Sequence, residues 1–175
     1  MLEIRRLGPD EAALYREIRL EALRTEPDAF ASTYELEQAY PLERFANRLT
    51  GSIVLGAFDG AILAGVAGFY IQDKPKHGHK GMLWGMYVRP RYRGTGLSRR
   101  LVQGIIDIAR QQVEILQLFV ISDNEPARRL YRRLGFVEYG IERKATKYQG
   151  RYHDDVLMAL FFDEAPGPGV KEPPV

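Results

Sequence analysis

The run Arg91-Tyr92-Arg93-Gly94-Thr95-Gly96 gathers the groups that hold a phosphate or a pyrophosphate. Its two arginines carry planar, permanently charged forks suited to phosphate oxygens, and Thr95 adds a hydroxyl donor. Gly94 and Gly96 turn the backbone where a Cβ would oppose it and leave nothing between the main-chain amides and an anion. The loop follows the apolar run Met82-Leu83-Trp84-Gly85-Met86-Tyr87-Val88 and precedes an amphipathic segment, so it joins a strand to a helix. Such a junction aims unpaired N–H groups and the positive end of a helix dipole at one point. Arg99 and Arg100, in the first turns of that helix, oppose its dipole unless an anion lies close by. Neither common phosphate motif is present: no Gly-Lys-Ser/Thr closes a Walker A sequence, and the spacing is not Gly-x-Gly-x-x-Gly. The loop indicates an anionic ligand without naming it, and a plain connection is the alternative.

Other chemically able residues are sparse. The chain has no cysteine, which excludes disulfides, thiol nucleophiles and cysteine metal sites. His77 and His79 share a polar loop with no third ligand type at a metal-binding spacing, so no metal is expected. Tyr131 stands beside a helical stripe of Leu130 and Leu134, able to face a cleft. Arg89, Arg91, Arg93, Arg99 and Arg100 would also suit a nucleic acid, but no base-stacking or groove-reading motif accompanies them, and none is expected to bind.

The elements that position these residues follow from periodicity and turn chemistry. Leu2 to Leu7 reads as a strand ended by Gly8-Pro9, and Asp10 caps a helix carrying Leu14, Ile18 and Ala22 that stops near Thr25 to Pro27. Ser32-Thr33-Tyr34-Glu35 has the form of a capping box, and Pro41 opens another helical turn bearing Leu42, Phe45 and Leu49. Ile53 to Phe58 and Ile62 to Ile71 are strands joined at Asp59-Gly60, a hairpin signal. A polar loop then leads into the strand Met82 to Val88, so the first half is mainly an antiparallel meander.

Beyond the glycine loop, Leu97, Leu101, Ile105 and Ile108 form a core-facing stripe, widened by Val102 and Ala109. Ile115 to Val120 is the next strand, reached through a helix as in a parallel crossover. Asn124 caps a further helix, Pro126 lies in its first turn and Gly135 ends it. Phe136 to Ile141 and Asp155 to Phe162 are the last strands, with a turn at Tyr148-Gln149-Gly150-Arg151.

A length of 175 residues suits one well-cored domain, expected over residues 1–164, with the Pro/Gly-rich segment 165–175 as a flexible tail. A formal net charge of +2 demands neither nucleic acid nor a membrane surface. No secretory signal or membrane span is readable, and a cytoplasmic protein is expected.

Two motifs, Val88-Arg89-Pro90-Arg91-Tyr92-Arg93-Gly94-Thr95-Gly96-Leu97 and Asn124-Glu125-Pro126-Ala127-Arg128-Arg129-Leu130-Tyr131-Arg132-Arg133-Leu134-Gly135-Phe136, together closely resemble the GNAT superfamily of N-acetyltransferases. Its acetyl-CoA loop reads Arg/Gln-x-x-Gly-x-Gly/Ala, and its later helix carries Asn, Ala, Leu-Tyr and Gly-Phe. The resemblance runs from about Ile53 to Met158, and Arg19 to Glu37 looks like the first helices of many bacterial members. It implies an α/β (α+β) fold: a mixed, mostly antiparallel sheet of about six or seven strands, splayed between the fourth and fifth, flanked by about four helices.

The same resemblance places coenzyme A in the splay. Arg91, Arg93, Gly94, Thr95, Gly96, Leu97 and Ser98 would hold the pyrophosphate. Backbone groups of Met86, Tyr87 and Val88 would hold the pantetheine arm, and Asn124 would contact it from the other side. The implied chemistry is direct transfer: an amine attacks the thioester, a backbone N–H near Met86 to Val88 holds the oxyanion, and Tyr131 donates a proton to the thiolate.

Many relatives carry a glutamate on the fourth strand, whereas Leu83-Trp84-Gly85-Met86 has no carboxylate. Proton removal then falls to water, to Glu35 or Glu37, or to a residue not yet placed. Tyr34, Glu35, His153 and Asp154 are candidate substrate residues. The expectation is an acetyl-CoA-dependent N-acetyltransferase without a metal, acting on a primary amine of a small molecule, peptide or protein. Members of the superfamily are often homodimers. The alternative is a catalytically weak acyl-CoA-binding module, motivated by the missing strand carboxylate.

Overall fold

The structure, a computed structural model, describes residues 1–162. The tail expected at 165–175 lies outside the described residues. Seven strands form one sheet: β1 (Glu3–Arg6), β2 (Ile53–Asp59), β3 (Ile62–Ile71), β4 (Lys80–Val88), β5 (Ile115–Ile121), β6 (Val137–Tyr148) and β7 (Arg151–Phe161). Their spatial order is β1-β2-β3-β4-β5-β7-β6, and every neighbouring pair is antiparallel except β4 with β5. The helices are α1 (Ala12–Thr25), the short α2 (Tyr34–Gln38), α3 (Leu42–Gly51), α4 (Leu97–Ala109) and α5 (Glu125–Arg133). No helix among the described residues is long and apolar enough to cross a membrane.

Both faces of the central strands are covered, which is why β2 and β3 read as continuous apolar runs rather than alternating ones. Val54 and Phe58 pack under Tyr15, Ile18 and Ala22 of α1 and Phe45 and Leu49 of α3. Leu55 and Ala57 face the opposite way, against Leu101, Val102, Ile105 and Ile106 of α4. The α4 stripe is thus the expected one, with Ile106 added and Ile108 only half-buried.

Three local readings change. Asp10 sits in a 3-10 turn, Pro9–Glu11, and α1 begins only at Ala12. The α2 cap is Thr33, whose hydroxyl accepts from Leu36 N at 3.2 Å, one residue after the Ser32 of the capping-box reading. The hairpin of β6 and β7 is much longer than its apolar parts. β6 continues through residues 142–147, four of them charged, as an exposed sheet edge, with bulges at 138/140 and 142/146. Lys144, at φ 54, donates its N–H to Asp154 Oδ1 at 2.7 Å inside the second bulge.

β4 and β5 pair only at Lys80 with Ile115, Gly81 with Leu116 and Met82 with Gln117, then diverge. On the other edge of β4, the register with β3 slips between Val66 and Gly68, opposite Tyr87 and Trp84. β4 therefore carries an extra residue there, and Gly85 takes φ 62 to form the bulge.

One buried ionic cluster ties the first three helices together. Glu37 of α2, 1% exposed, accepts from Arg19 Nε and Nη2 of α1 at 3.1 and 2.8 Å and from Arg48 Nη1 of α3 at 3.1 Å. Burial alone would raise its pKa, but the hydrogen bonds and charges of Arg19 and Arg48 win and hold it at about 2. Its ordinary value of 4.5 in the unfolded chain lies above this, so the stabilisation is full above pH 4.5 and fades as pH falls toward 2. Urea unfolding from pH 7 downward should show an acid-sensitive loss approaching roughly 3 kcal/mol. In Glu37→Gln that loss should be absent, and stability at pH 7 should be lower by about 3–5 kcal/mol because both arginines lose their charge partner.

Candidate functional site

The divergence of β4 and β5 opens a cleft of about 710 Å³. Residues 83–88 of β4 make one wall, residues 118–121 of β5 with α5 make the other, and the glycine loop closes one end. The segment from Glu26 to Phe30, just after α1, contributes further wall.

At the loop, Gly94 and Gly96 lie at φ 76 and 81, and no heavy atom comes within 4 Å of the Cβ position of either. Open space therefore stands over both glycines, which is the cradle an anion needs. Gly96 is the N-cap of α4 and no side chain caps the helix, so its first amides are free of side-chain partners. Ser98 and Arg99 of the first turn also line the cleft. Arg93 turns back along β4: Nε donates to the Val88 carbonyl at 3.0 Å, and Nη2 pairs with the Glu26 carboxylate.

On the opposite wall, Asn124 Oδ1 accepts from Ala127 N at 3.3 Å, and its side-chain nitrogen has no partner among the described residues. Tyr131 is the most buried residue of α5, at 7% exposure, while Leu130 and Leu134 beside it are only half-buried. Its ring packs edge-on against Phe136 with centroids 5.7 Å apart. Its hydroxyl makes no hydrogen bond among the described residues, and burial pushes the phenol up to about 12. The group stays protonated throughout the neutral range.

Of the residues singled out from sequence, Met86, Tyr87, Val88, Arg93, Gly94, Gly96, Ser98, Asn124 and Tyr131 come together on this cleft. Arg91, Thr95 and Leu97 do not line it. Arg91 Nη2 donates to the Tyr92 hydroxyl at 2.6 Å and lies 3.7 Å from Asp59. Thr95 donates its hydroxyl to the Tyr92 carbonyl at 2.6 Å, and Leu97 is buried in the core. Their side chains shape the loop from outside.

Tyr34 and Glu35 also stand off the cleft, Tyr34 half-buried with the Arg24 guanidinium 5.9 Å over its ring and Glu35 exposed. Glu37 is locked in the ionic cluster. His153 Nε2 lies 3.6 Å from Asp28 Oδ1, and Asp154 holds the Lys144 amide. His77 and His79 join no group of three or more metal-ligating side chains among the described residues.

Three wall or near-wall residues escaped sequence reading: Glu26, Phe30 and Arg19. Glu26 is the only carboxylate among the described cleft-lining residues. No spacing rule carried a signal for it, because residues 26–30 read as a turn and reach β4 only through the packing of α1.

A sheet split between β4 and β5 beside a basic glycine loop is the architecture the resemblance to the N-acetyltransferases implied. The chain belongs to the Acetyltransferase (GNAT) family, whose sequence pattern matches residues 15–136. It is 35% identical over 97 residues to N-alpha-acetyltransferase RimI of Mycobacterium tuberculosis, covering 55% of this chain and 59% of that protein. With the L-amino acid N-acyltransferase MnaT of Escherichia coli it shares 30% identity over 125 residues, 70% of this chain and 72% of that one. The fold matches that of yncA from Salmonella typhimurium, solved with its cofactor acetyl-CoA, with a TM-score of 0.78, 24% identity and coverage of 98% and 99%.

The glycine cradle yields a direct test. In Gly94→Val, branched bulk fills the open space and the residue resists φ 76, so calorimetry should show coenzyme A binding weakened by about tenfold or more. Arg91→Ala, outside the cleft, should change that affinity by less than about threefold.

Proposed function

We propose that this protein is an acetyl-CoA-dependent N-acetyltransferase that moves the acetyl group directly onto a primary amine. The observation that carries the reading is Tyr131: a buried, protonated, unpartnered phenol on the wall of the same cleft that ends in the open glycine cradle. When bound, acetyl-CoA supplies an activated acyl carbonyl and a sulfur that must leave protonated.

The chain's own residues divide the remaining work. Arg93, Ser98 and the amides at the start of α4 fit a diphosphate. The β4 edge beyond Met82 offers main-chain groups to the amides of a pantetheine arm, and Asn124 offers its side-chain nitrogen from the other wall. An N–H near the bulge, between Met86 and Val88, suits the charge that develops on a carbonyl oxygen. Tyr131 delivers the proton to sulfur and regains one from solvent.

No wall residue among the described ones is available to take the proton of the acceptor. Glu26 is engaged by Arg93, and Glu37, at about 2 and buried, is too weak a base. The acceptor therefore reacts as the neutral amine and its proton leaves to water.

Tyr131→Phe should lower kcat by about 10²–10⁴ while leaving acetyl-CoA binding within a few-fold, as measured by thiol release and calorimetry. If thiol release is undiminished, Tyr131 is not the acid; binding without release to any amine would make the protein a coenzyme-binding module. The logarithm of kcat/KM should rise with unit slope up to the ammonium pKa of whichever acceptor is used, and should move when the acceptor is changed. A limb fixed near pH 7 for all acceptors would reveal a base on the enzyme.

A further inference from the structure

We infer that the amine acceptor carries a carboxylate and that Arg19 binds it, an inference that rests on the acetyltransferase reading above. Arg19 is 8% exposed. Its Nε and Nη2 are engaged by Glu37, but Nη1 makes no hydrogen bond among the described residues. Arg48 shares the same carboxylate, so two guanidinium groups face a single negative charge and the buried cluster holds one positive charge in excess.

That excess stands against the cleft. Nη1 of Arg19 is the one heavy atom found within 4 Å of the Cβ position of Gly85, at 3.9 Å. The guanidinium also lies 5.1 Å from the ring centroid of Phe30. Gly85 and Phe30 both line the cleft and Arg19 lies just behind them, with no side chain at Gly85 to stand between.

Nearby carboxylates are committed elsewhere. Glu26 pairs with Arg93, while Glu17 and Glu21 lie 2.7 and 3.0 Å from Arg89. Among the described residues the free N–H groups of Arg19 thus lack an anion at the β4 bulge, where the proposed transfer brings the attacking amine. An amine with a carboxylate on its neighbouring carbon can set the carboxylate on Arg19 and the nitrogen at the bulge together. A polyamine would bring a second cation against an unbalanced positive charge, and a lysine side chain would bring no anion to meet it. A free α-amino acid is the acceptor this arrangement fits.

The test is thiol release from acetyl-CoA by the wild-type protein with matched acceptors. These are free amino acids, the same amino acids as carboxamides, dipeptides whose carboxylate is displaced by one residue, and spermidine. At equal concentrations of neutral amine, the free acids should exceed their carboxamides by about 100-fold or more in kcat/KM, with dipeptides and spermidine as poor as the carboxamides. In Arg19→Lys, which keeps a cation beside Glu37 but loses the fork, the acid-to-carboxamide ratio should fall at least about tenfold, chiefly through KM.

Equal or better transfer to carboxamides, dipeptides or spermidine overturns the inference and leaves the acetyltransferase reading intact. Absence of thiol release with every acceptor overturns both. Because the wild-type comparison needs no substitution, it decides the matter even if the variant unfolds.

Discussion

Three residue pairs, Lys80 with Ile115, Gly81 with Leu116 and Met82 with Gln117, are all that join β4 to β5. The cleft follows from that short ladder. Each strand stays paired on its outer edge, β4 with β3 apart from the bulge and β5 with β7 throughout, so separating them exposes chiefly the two inner edges. Backbone groups left unpaired at such an edge are costly unless water, a side chain or a ligand satisfies them. Arg93 satisfies one of them, the Val88 carbonyl. What remains is a strand edge ready to bond an extended, amide-bearing chain, the way an exposed edge accepts an added strand.

A second constraint is how the charges are partitioned. The acidic side of α1 and the residue after it hold the arginines that follow β4: Glu17 and Glu21 with Arg89, Glu26 with Arg93. These pairs fix α1 across the end of β4 and bring Phe30 to the cleft. They also leave no free carboxylate among the described cleft-lining residues, in keeping with the absence of an acid on β4 itself. With those arginines paired, the positive groups left at the cleft include Arg99 in the first turn of α4 and, behind Gly85, Arg19; these two are the charges to which the proposed diphosphate and carboxylate answer.

Much of this was legible in the sequence because it is local. The Asp59-Gly60 hairpin, the glycine loop feeding α4 and the Asn124 cap of α5 are each written within a few consecutive residues. The far half of β6 was not, since an exposed edge strand of charged residues lacks any apolar alternation. Spacing also could not tell Arg91 from Arg93. Tyr92, buried between them with its hydroxyl on Asp59, turns Arg91 outward to the β2–β3 hairpin and Arg93 inward to β4. Glu37 looked like an available base because its burial and its two arginine partners exist only in three dimensions. Arg19 gave no signal at all for the same reason.

The position of Tyr131 raises an energetic question that burial itself answers. A phenol pushed up to about 12 is a weaker acid than an ordinary one, and a free thiol sits near 8.5, so proton transfer to a solvated thiolate would be uphill. The wall that raises the phenol is apolar, made by Phe136, Leu130 and neighbouring residues, and it penalises any anion beside it. A sulfur leaving against the same wall is raised as well, which narrows the gap between donor and acceptor. The lack of a hydrogen bond to the phenol among the described residues works in the same direction, because no described acceptor competes for its proton. In the proposed mechanism, the burial that makes Tyr131 a poor acid in water also brings it closer to a sulfur leaving against the same wall.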